Sequence, residues 1–262
     1  MADRFTEVSV ITHDGLVRDH NEDSVVVGPW TTCSTVTPAP ATFALPLSAP
    51  VVIAVSDGLG GHPAGEVASS VVVQTLARLA PELADAEAVR NAVNTCNSAV
   101  YAEAARHPAR EGMGTTVAGV VLTAGDAYVF NVGDSRVYSY GPEGLRQVSV
   151  DDSPSLPTGV THTALITQIL GGYGNREPLD VHVSTHPIDD ATCYLVCTDG
   201  LSDVIDDAKI AAVLEENRGV AGVFELWRAA ITGGGPDNIT VVLAEIVSVE
   251  VPPEADDPGA GA

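Results

Sequence analysis

An α+β fold, with antiparallel sheets and helices packed outside them, is what this 262-residue sequence predicts. Two observations carry the prediction. Strand-like runs cluster with other strand-like runs and helical stripes come in pairs, so no alternating βαβ pattern develops. Hydrophobic residues make up 45% of the chain and charged ones 18%, which suits a large, well-cored domain and excludes a disordered one.

Runs rich in valine and isoleucine at 7–12, 23–27, 50–56, 115–123, 126–132, 136–140, 192–198 and 238–248 read as strands. The runs 126–132 and 136–140 flank "GDS", a tight hairpin or a sharp corner. Ala68, Val71, Val72, Leu76 and Leu79 recur at helical spacing, with Pro81 just beyond the helix end. Val89, Ala92, Val93, Cys96 and Val100 form a second such stripe. A later pair carries Ile210, Val213 and Leu214, then Val223, Phe224, Trp227 and Ile231, stopped by "GGG" at 233–235. Residues 28–50 are rich in Pro, Ala and Thr and read as an inserted loop; 149–165 read as a second irregular segment. Residues 1–248 then form a single domain, and 249–262, acidic and proline-rich, a disordered tail.

The formal net charge is -23, from 35 acidic against 12 basic residues. That balance argues against nucleic acid or an anionic membrane as partner, because binding there needs basic side chains to displace counterions. Cys33, Cys96, Cys193 and Cys197 show no CxxC pair or zinc spacing and read as thiols of a reducing cytoplasm. No apolar run approaches the roughly 18 residues that cross a bilayer, and no signal-peptide pattern opens the chain.

Three strands run into an aspartate: "VVIAVSD" reaches Asp57, "AYVFNVGD" reaches Asp134 and "CYLVCTD" reaches Asp199. Each aspartate shares strand parity with apolar residues before it: Val51, Ile53 and Val55; Tyr128, Phe130 and Val132; Cys193, Leu195 and Cys197. If the strands hold to their ends, the carboxylates point to the core side, where a lone charge is costly unless paired or bound to a cation. Asp237 lies just before the closing strand, so all four converge if neighbouring antiparallel ends meet at one edge. Any one of these is also ordinary turn chemistry; four in matching context, with almost no lysine to pair with them, are harder to dismiss as such. Oxygen-only donors point to magnesium or manganese and away from zinc or copper. "LVRDHNED" (16–23) reads either as a polar corner with a local ion pair or as an oxyanion contact through Arg18, with Glu22 and Asp23 holding metal waters. His62, on the glycine-rich loop, is the one histidine beside a candidate ligand, and His20 stands apart from the others only by its place in "RDHNED".

Together "RDHNED" (18–23), "DGLGGH" (57–62), "GMGTTV" (112–117), "NVGDSR" (131–136), "CTDGLSD" (197–203) and "GGGPDNIT" (233–240) resemble the metal-dependent serine/threonine phosphatases of the 2C type, the PPM family. "GHPAGEVAS" and "GGGPDNIT" are similar to its bacterial members, which oppose eukaryotic-type kinases. The resemblance implies a four-layer αββα sandwich with a binuclear manganese or magnesium centre at one edge. It implies that Asp57 bridges both ions, that the Gly58 carbonyl ligates the second, and that Asp199 and Asp237 complete the first. Glu22 and Asp23 match acidic positions that hold metal waters, Arg18 the phosphate-binding arginine, and His62 the general acid. Asp134, with Asp199, matches a third, weaker metal site.

The implied reaction is hydrolysis of phosphoserine and phosphothreonine by direct attack of a metal-bridging water, with His62 protonating the departing alkoxide. The implied partners are phosphoproteins, a eukaryotic-type kinase among them, met by a cytoplasmic monomer. Retention of Asp57, Asp199, Asp237, Arg18 and His62 counts against the alternative, an inactive phosphatase-fold regulator. The charge counts against another two-metal hydrolase acting on nucleic acid. Gly60 and Gly61 leave room for a phosphate where side chains would crowd it. Two departures from the family stand out: the flap equivalent, 150–166, is short, which bears on substrate choice, and the 28–50 loop is longer and more apolar.

Overall fold

The computed structural model describes residues 3–59, 64–154, 165–173 and 178–249. The chain opens with β1 (Asp3–His13), β2 (Ser24–Val27), β3 (Trp30–Cys33), β4 (Ala41–Pro46) and β5 (Val51–Ser56), then α1 (Gly65–Leu79) and α2 (Ala86–Arg106). Next come β6 (Gly114–Thr115), β7 (Val117–Leu122), β8 (Asp126–Val132), β9 (Arg136–Gly141) and β10 (Gly144–Gln147). After β11 (Leu170–Gly171), β12 (His182–Pro187) and β13 (Cys193–Cys197) stand the one-turn α3 (Asp199–Ser202), α4 (Asp207–Glu216) and α5 (Gly219–Thr232). β14 (Ile239–Val249) closes the described chain.

Two six-stranded antiparallel sheets form, one ordered β10-β9-β13-β14-β1-β4 and the other β12-β8-β7-β5-β2-β3. Valines and isoleucines from both sheets, Val8, Ile53, Val120, Val196 and Val242 among them, fill the layer between them. The α1–α2 pair covers the β5–β7–β8 face through Val72, Val73, Leu76 and Cys96. The α4–α5 pair covers the β13–β14 face through Ile210, Leu214, Val223 and Leu226. The result is the αββα sandwich. β5 and β7 are buried along their whole length, which is why "VVIAVS" and "VAGVVL" read as continuous apolar runs. Asp85 and Asp206 start α2 and α4 as N-caps, accepting from the backbone N–H of Ala88 and Lys209, each at 2.8 Å.

The 28–50 segment is a correction: it is no inserted loop but an outer strand of each sheet. β3 pairs with β2 and β4 pairs with β1, so the chain crosses from one sheet edge to the other between them. Trp30 and Phe43 meet across that crossing with ring centroids 4.8 Å apart, which accounts for the segment's apolar character. Edge strands carry a half-buried alternating pattern and tolerate Pro46, so their composition resembles a loop. "GDS" is a corner, not a hairpin, since β8 and β9 belong to different sheets. The 115–123 run breaks at Thr116 into β6 and β7, and β10 and β12 had no strand reading. Phe224, placed on the apolar stripe of α5, is 40% exposed. The tail from 250, and residues 155–164 of the flap, lie outside the described residues.

Candidate metal centre

Asp57 and Asp134 follow β5 and β8, which run the same way in one sheet because antiparallel β7 lies between them. Asp199 follows β13 and Asp237 precedes β14, adjacent antiparallel strands of the other sheet. Both sheets therefore deliver two aspartates to one end of the sandwich. Strand parity is not what aims them. Val51, Ile53 and Val55 do face the layer between the sheets, but Phe130 and Val132 face α1–α2, and Leu195 and Cys197 face α4–α5. Parity ends before the carboxylates: Gly133 turns the chain at φ +101, and Thr198 is the N-cap of α3. Strand ends, not strand faces, produce the convergence.

The electrostatics record how close the groups lie. Burial pushes Asp57 well above the usual carboxylate range, and Asp23, Asp199, Asp237 and Asp134 push it further. Burial likewise raises Asp199 to about 8, with Asp134, Asp237 and Asp203 adding to it. Asp23 rises to about 7, mainly by burial, although the hydroxyls of Thr240 (2.6 Å) and Thr198 (3.0 Å) donate to its Oδ2. Asp134 rises to about 6 and Glu22 also rises, burial being the main cause in both. The Oδ1 atoms of Asp23 and Asp199 are buried and accept no hydrogen bond. Arg18 donates to Asp237 Oδ2 at 2.7 Å, which raises its own pKa.

The backbone under these groups is tightly specified. Asp57 donates its N–H to Thr116 Oγ1 (3.2 Å), while the Thr116 N–H and the Thr115 hydroxyl donate to its carbonyl. The Thr116 and Ser135 hydroxyls, 2.7 Å apart, tie the Asp57 turn to the Asp134 corner. A Cβ on Gly58 would lie 2.5 Å from the Gly65 carbonyl and 2.8 Å from that of Glu22, so only glycine fits there. Gly200 is equally constrained, since a side chain would fall onto the Asn238 carbonyl. His62, Gly60 and Gly61 lie outside the described residues.

Sequence reasoning missed Asn238, which stands in the "PDN" turn and organises the N-terminal part of the site. Its Oδ1 accepts from the Glu22 N–H at 2.8 Å, and its Nδ2 donates to the carbonyls of His20 (2.9 Å) and Asp14 (3.1 Å). Asn21 does the same one step away, donating to Thr12 Oγ1 and accepting from the Asp23 N–H. Asp203, which adds to the field on both Asp134 and Asp199, was also missed. Two acids in "CTDGLSD" four residues apart were the available signal.

This donor set fits hard divalent cations. It consists of oxygens, two of them buried and unpartnered, among carboxylates whose pKa values burial and like-charge neighbours raise. Asp237 also pairs with Arg18 at 2.7 Å. Among the described residues, the trio of donor atoms lying within 4.8 Å of one another is instead His20, Glu22 and Glu66.

The protein phosphatase 2C family model matches residues 42–230, so the chain belongs to that family. The match contains Asp57, Gly58, Asp134 and Asp199. The serine/threonine protein phosphatase PstP of Mycobacterium tuberculosis is 31% identical over 248 residues, covering 90% of this chain. The chain spans 44% of the length of that relative. The serine/threonine phosphatase Stp of Listeria monocytogenes is 29% identical over 253 residues, covering 89% of this chain and 93% of the relative. Among solved structures, the catalytic domain of PstP in complex with two manganese ions is 30% identical and superposes with a TM-score of 0.76. That likeness covers 93% of this chain and 99% of the other. No described helix is long and apolar enough to cross a membrane.

Proposed function

We propose that this protein is a serine/threonine phosphoprotein phosphatase that hydrolyses phosphoserine and phosphothreonine with two manganese or magnesium ions. The observation that carries the reading is the meeting of Asp57, Asp134, Asp199 and Asp237 from both sheets, with a buried Asp199 oxygen left without a partner. Asp57, the Gly58 carbonyl, Asp199 and Asp237 are the residues proposed to hold the two ions. Glu22 and Asp23 hold their waters, and Asp134 with Asp199 offers a weaker third position. The bound ions supply an activated water and charge neutralisation at the phosphoryl group.

The remaining roles belong to the chain's own side chains. Arg18, 40% exposed at its side chain, uses one donor on Asp237 and presents its remaining N–H groups to phosphoryl oxygens. Asn238 holds Glu22 in register by its backbone. His62 is assigned by sequence to protonate the leaving alkoxide, a poor leaving group without a proton. The physiological substrates are proposed to be phosphoproteins, a eukaryotic-type kinase among them, acted on in the cytoplasm by a monomer.

Hydrolysis of a phosphothreonine peptide with and without manganese tests the reading, repeated with Asp199→Ala. Activity that needs manganese and disappears in the variant is the expected result. Full activity in chelator, or in Asp199→Ala, would overturn it.

A further inference from the structure

We propose that a cleft at the end of the sandwich opposite the aspartates binds a small zwitterion of the α-amino-acid type, with Arg146 on its carboxylate and Asp189 on its ammonium group. The cleft, about 600 Å³, opens between the β9–β10 hairpin, the end of β12 and the turn that enters β13. That volume lies within the range of small-molecule sites. Tyr194 and Asp199 stand near opposite ends of β13, on the order of 15 Å apart along an extended chain. The cleft therefore shares no residue with the metal centre.

Strand register brings its groups together. Tyr194 pairs with Ser139 and Ser139 with Arg146, so the three stand in one row on one face of their sheet. Tyr194 belongs to the layer between the sheets, and so does Ala127, the partner of His186 in the facing sheet. Where that layer reaches its β10–β12 side, apolar filling gives way to Arg146, Tyr194 and His186.

Two independent observations ask for a ligand. The first is Tyr194, which is 2% exposed and lines the cleft, although among the described residues its hydroxyl takes part in no hydrogen bond. A buried hydroxyl is ordinarily satisfied. The second is the arrangement of charge. Arg146, Glu143 and Asp189 all line the cleft, yet among the described residues Arg146 makes no ion pair with these acids or any other. Burial pushes the Tyr194 pKa up to about 12; Arg146 works against that shift and Asp189 with it, so both charges stand near one hydroxyl. His186 adds no charge at neutral pH, because burial and Arg146 hold its pKa below the usual imidazole value, and its Nε2 lies 2.9 Å from Ser184 Oγ. One cation beside two acids repels a polyanion. A zwitterion satisfies both signs. Its carboxylate takes the guanidinium fork and the Tyr194 hydroxyl, and its ammonium takes Asp189, whose Oδ1 is held in place by the Ala191 N–H at 2.9 Å. Pro142, Leu145 and Pro187 supply an apolar wall for the ligand's side chain.

The test reads binding directly. Melting of the full chain is followed with each of the protein α-amino acids at about 10 mM, and every compound that raises the melting temperature is titrated calorimetrically. At least one is expected to bind the wild type, with affinity about tenfold lower or worse in Arg146→Gln and in Asp189→Asn, and a smaller loss in Tyr194→Phe. Arg146 and Asp189 are exposed, so their variants should melt like the wild type when no ligand is present. The N-acetyl derivative of the same compound, which lacks the ammonium charge, should not bind. No shift with any amino acid, wild-type affinity in Arg146→Gln and Asp189→Asn, or equal binding of the N-acetyl derivative would each overturn the site. So would inhibition of phosphopeptide turnover that is competitive with substrate, which would place the ligand at the metal centre. The binding arms need neither manganese nor turnover, so their outcome is separate from that of the function proposed above.

Discussion

A buried carboxylate without a counterion weakens the chain that carries it, and Asp199 is such a group. Its folded-state pKa of about 8 lies far above the unfolded value of 3.8, so the unfolded chain loses this proton first and stability is lost as pH rises from about 4 to about 8. Asp199→Asn should therefore raise the melting temperature of metal-free protein most at pH 8, less at pH 5 and little below about pH 4, while abolishing manganese-dependent activity. A calorimetric scan that found the variant less stable at pH 8 would contradict the like-charge account. Asn238 carries the opposite expectation. Asn238→Ala removes three hydrogen bonds at a site 4% exposed. It should cost about 2–3 kcal/mol by denaturant unfolding and weaken manganese binding as well. His62→Ala should reduce kcat strongly on a phosphothreonine peptide and less on an aryl phosphate, whose leaving group needs less protonation; equal losses would remove His62 from the acid role.

At the scale of elements, α2 holds the far base of the flap. Asn97 Oδ1 accepts from the Gly171 N–H, Tyr101 donates to the Gly171 carbonyl, and Asn94 Oδ1 accepts from the Leu179 N–H, all at 2.8–2.9 Å. These side chains stand three and four residues apart, on one helix face. At the near base, the Asp152 N–H donates to the Gly133 carbonyl, the Asp152 carbonyl accepts from the Thr167 N–H, and its Oδ1 accepts from His182 Nε2–H at 2.9 Å. Replacing Asn94 and Asn97 together by alanine should raise KM for a phosphopeptide and leave aryl phosphate turnover nearly unchanged. Parallel kinetics on the two substrates check it. The elements also show where sequence reading stops. Central strands such as β5 and β7, buried on both faces, announce themselves by continuous apolar runs. β3 and β4 do not, because edge strands are only half-buried and can carry threonine and proline.

Over the whole molecule the raised carboxylates link stability to pH. Asp23, Asp134 and Asp199, with folded pKa values of about 7, 6 and 8, bind more protons folded than unfolded. Metal-free stability is then fullest below about pH 4 as far as these groups are concerned, and falls as pH rises toward 8. Bound manganese should remove that slope, because ligation needs the deprotonated carboxylates. Melting curves from pH 5 to pH 8, with manganese and with chelator, should diverge as pH rises; parallel curves would show that the acids are not the ligands.

By itself the sequence determined the class of fold and pointed to the chemistry proposed for the site. Apolar runs, paired helical stripes and four aspartates beside strands are local patterns, and local patterns survive in a linear string. The nature of the donors, oxygen without thiolate or a histidine set, was equally local. Only the tertiary structure decided how those aspartates meet. Asp57 and Asp134 come from one sheet and Asp199 and Asp237 from the other, and Asp134 and Asp199 are aimed by turns beyond their strands, where the two-residue period no longer holds. It also decided that Asn238 holds Glu22 in place across 216 residues of sequence, and that His20 meets Glu66. Contacts between residues so distant in the chain depend on how two sheets stack, which no short window of sequence specifies.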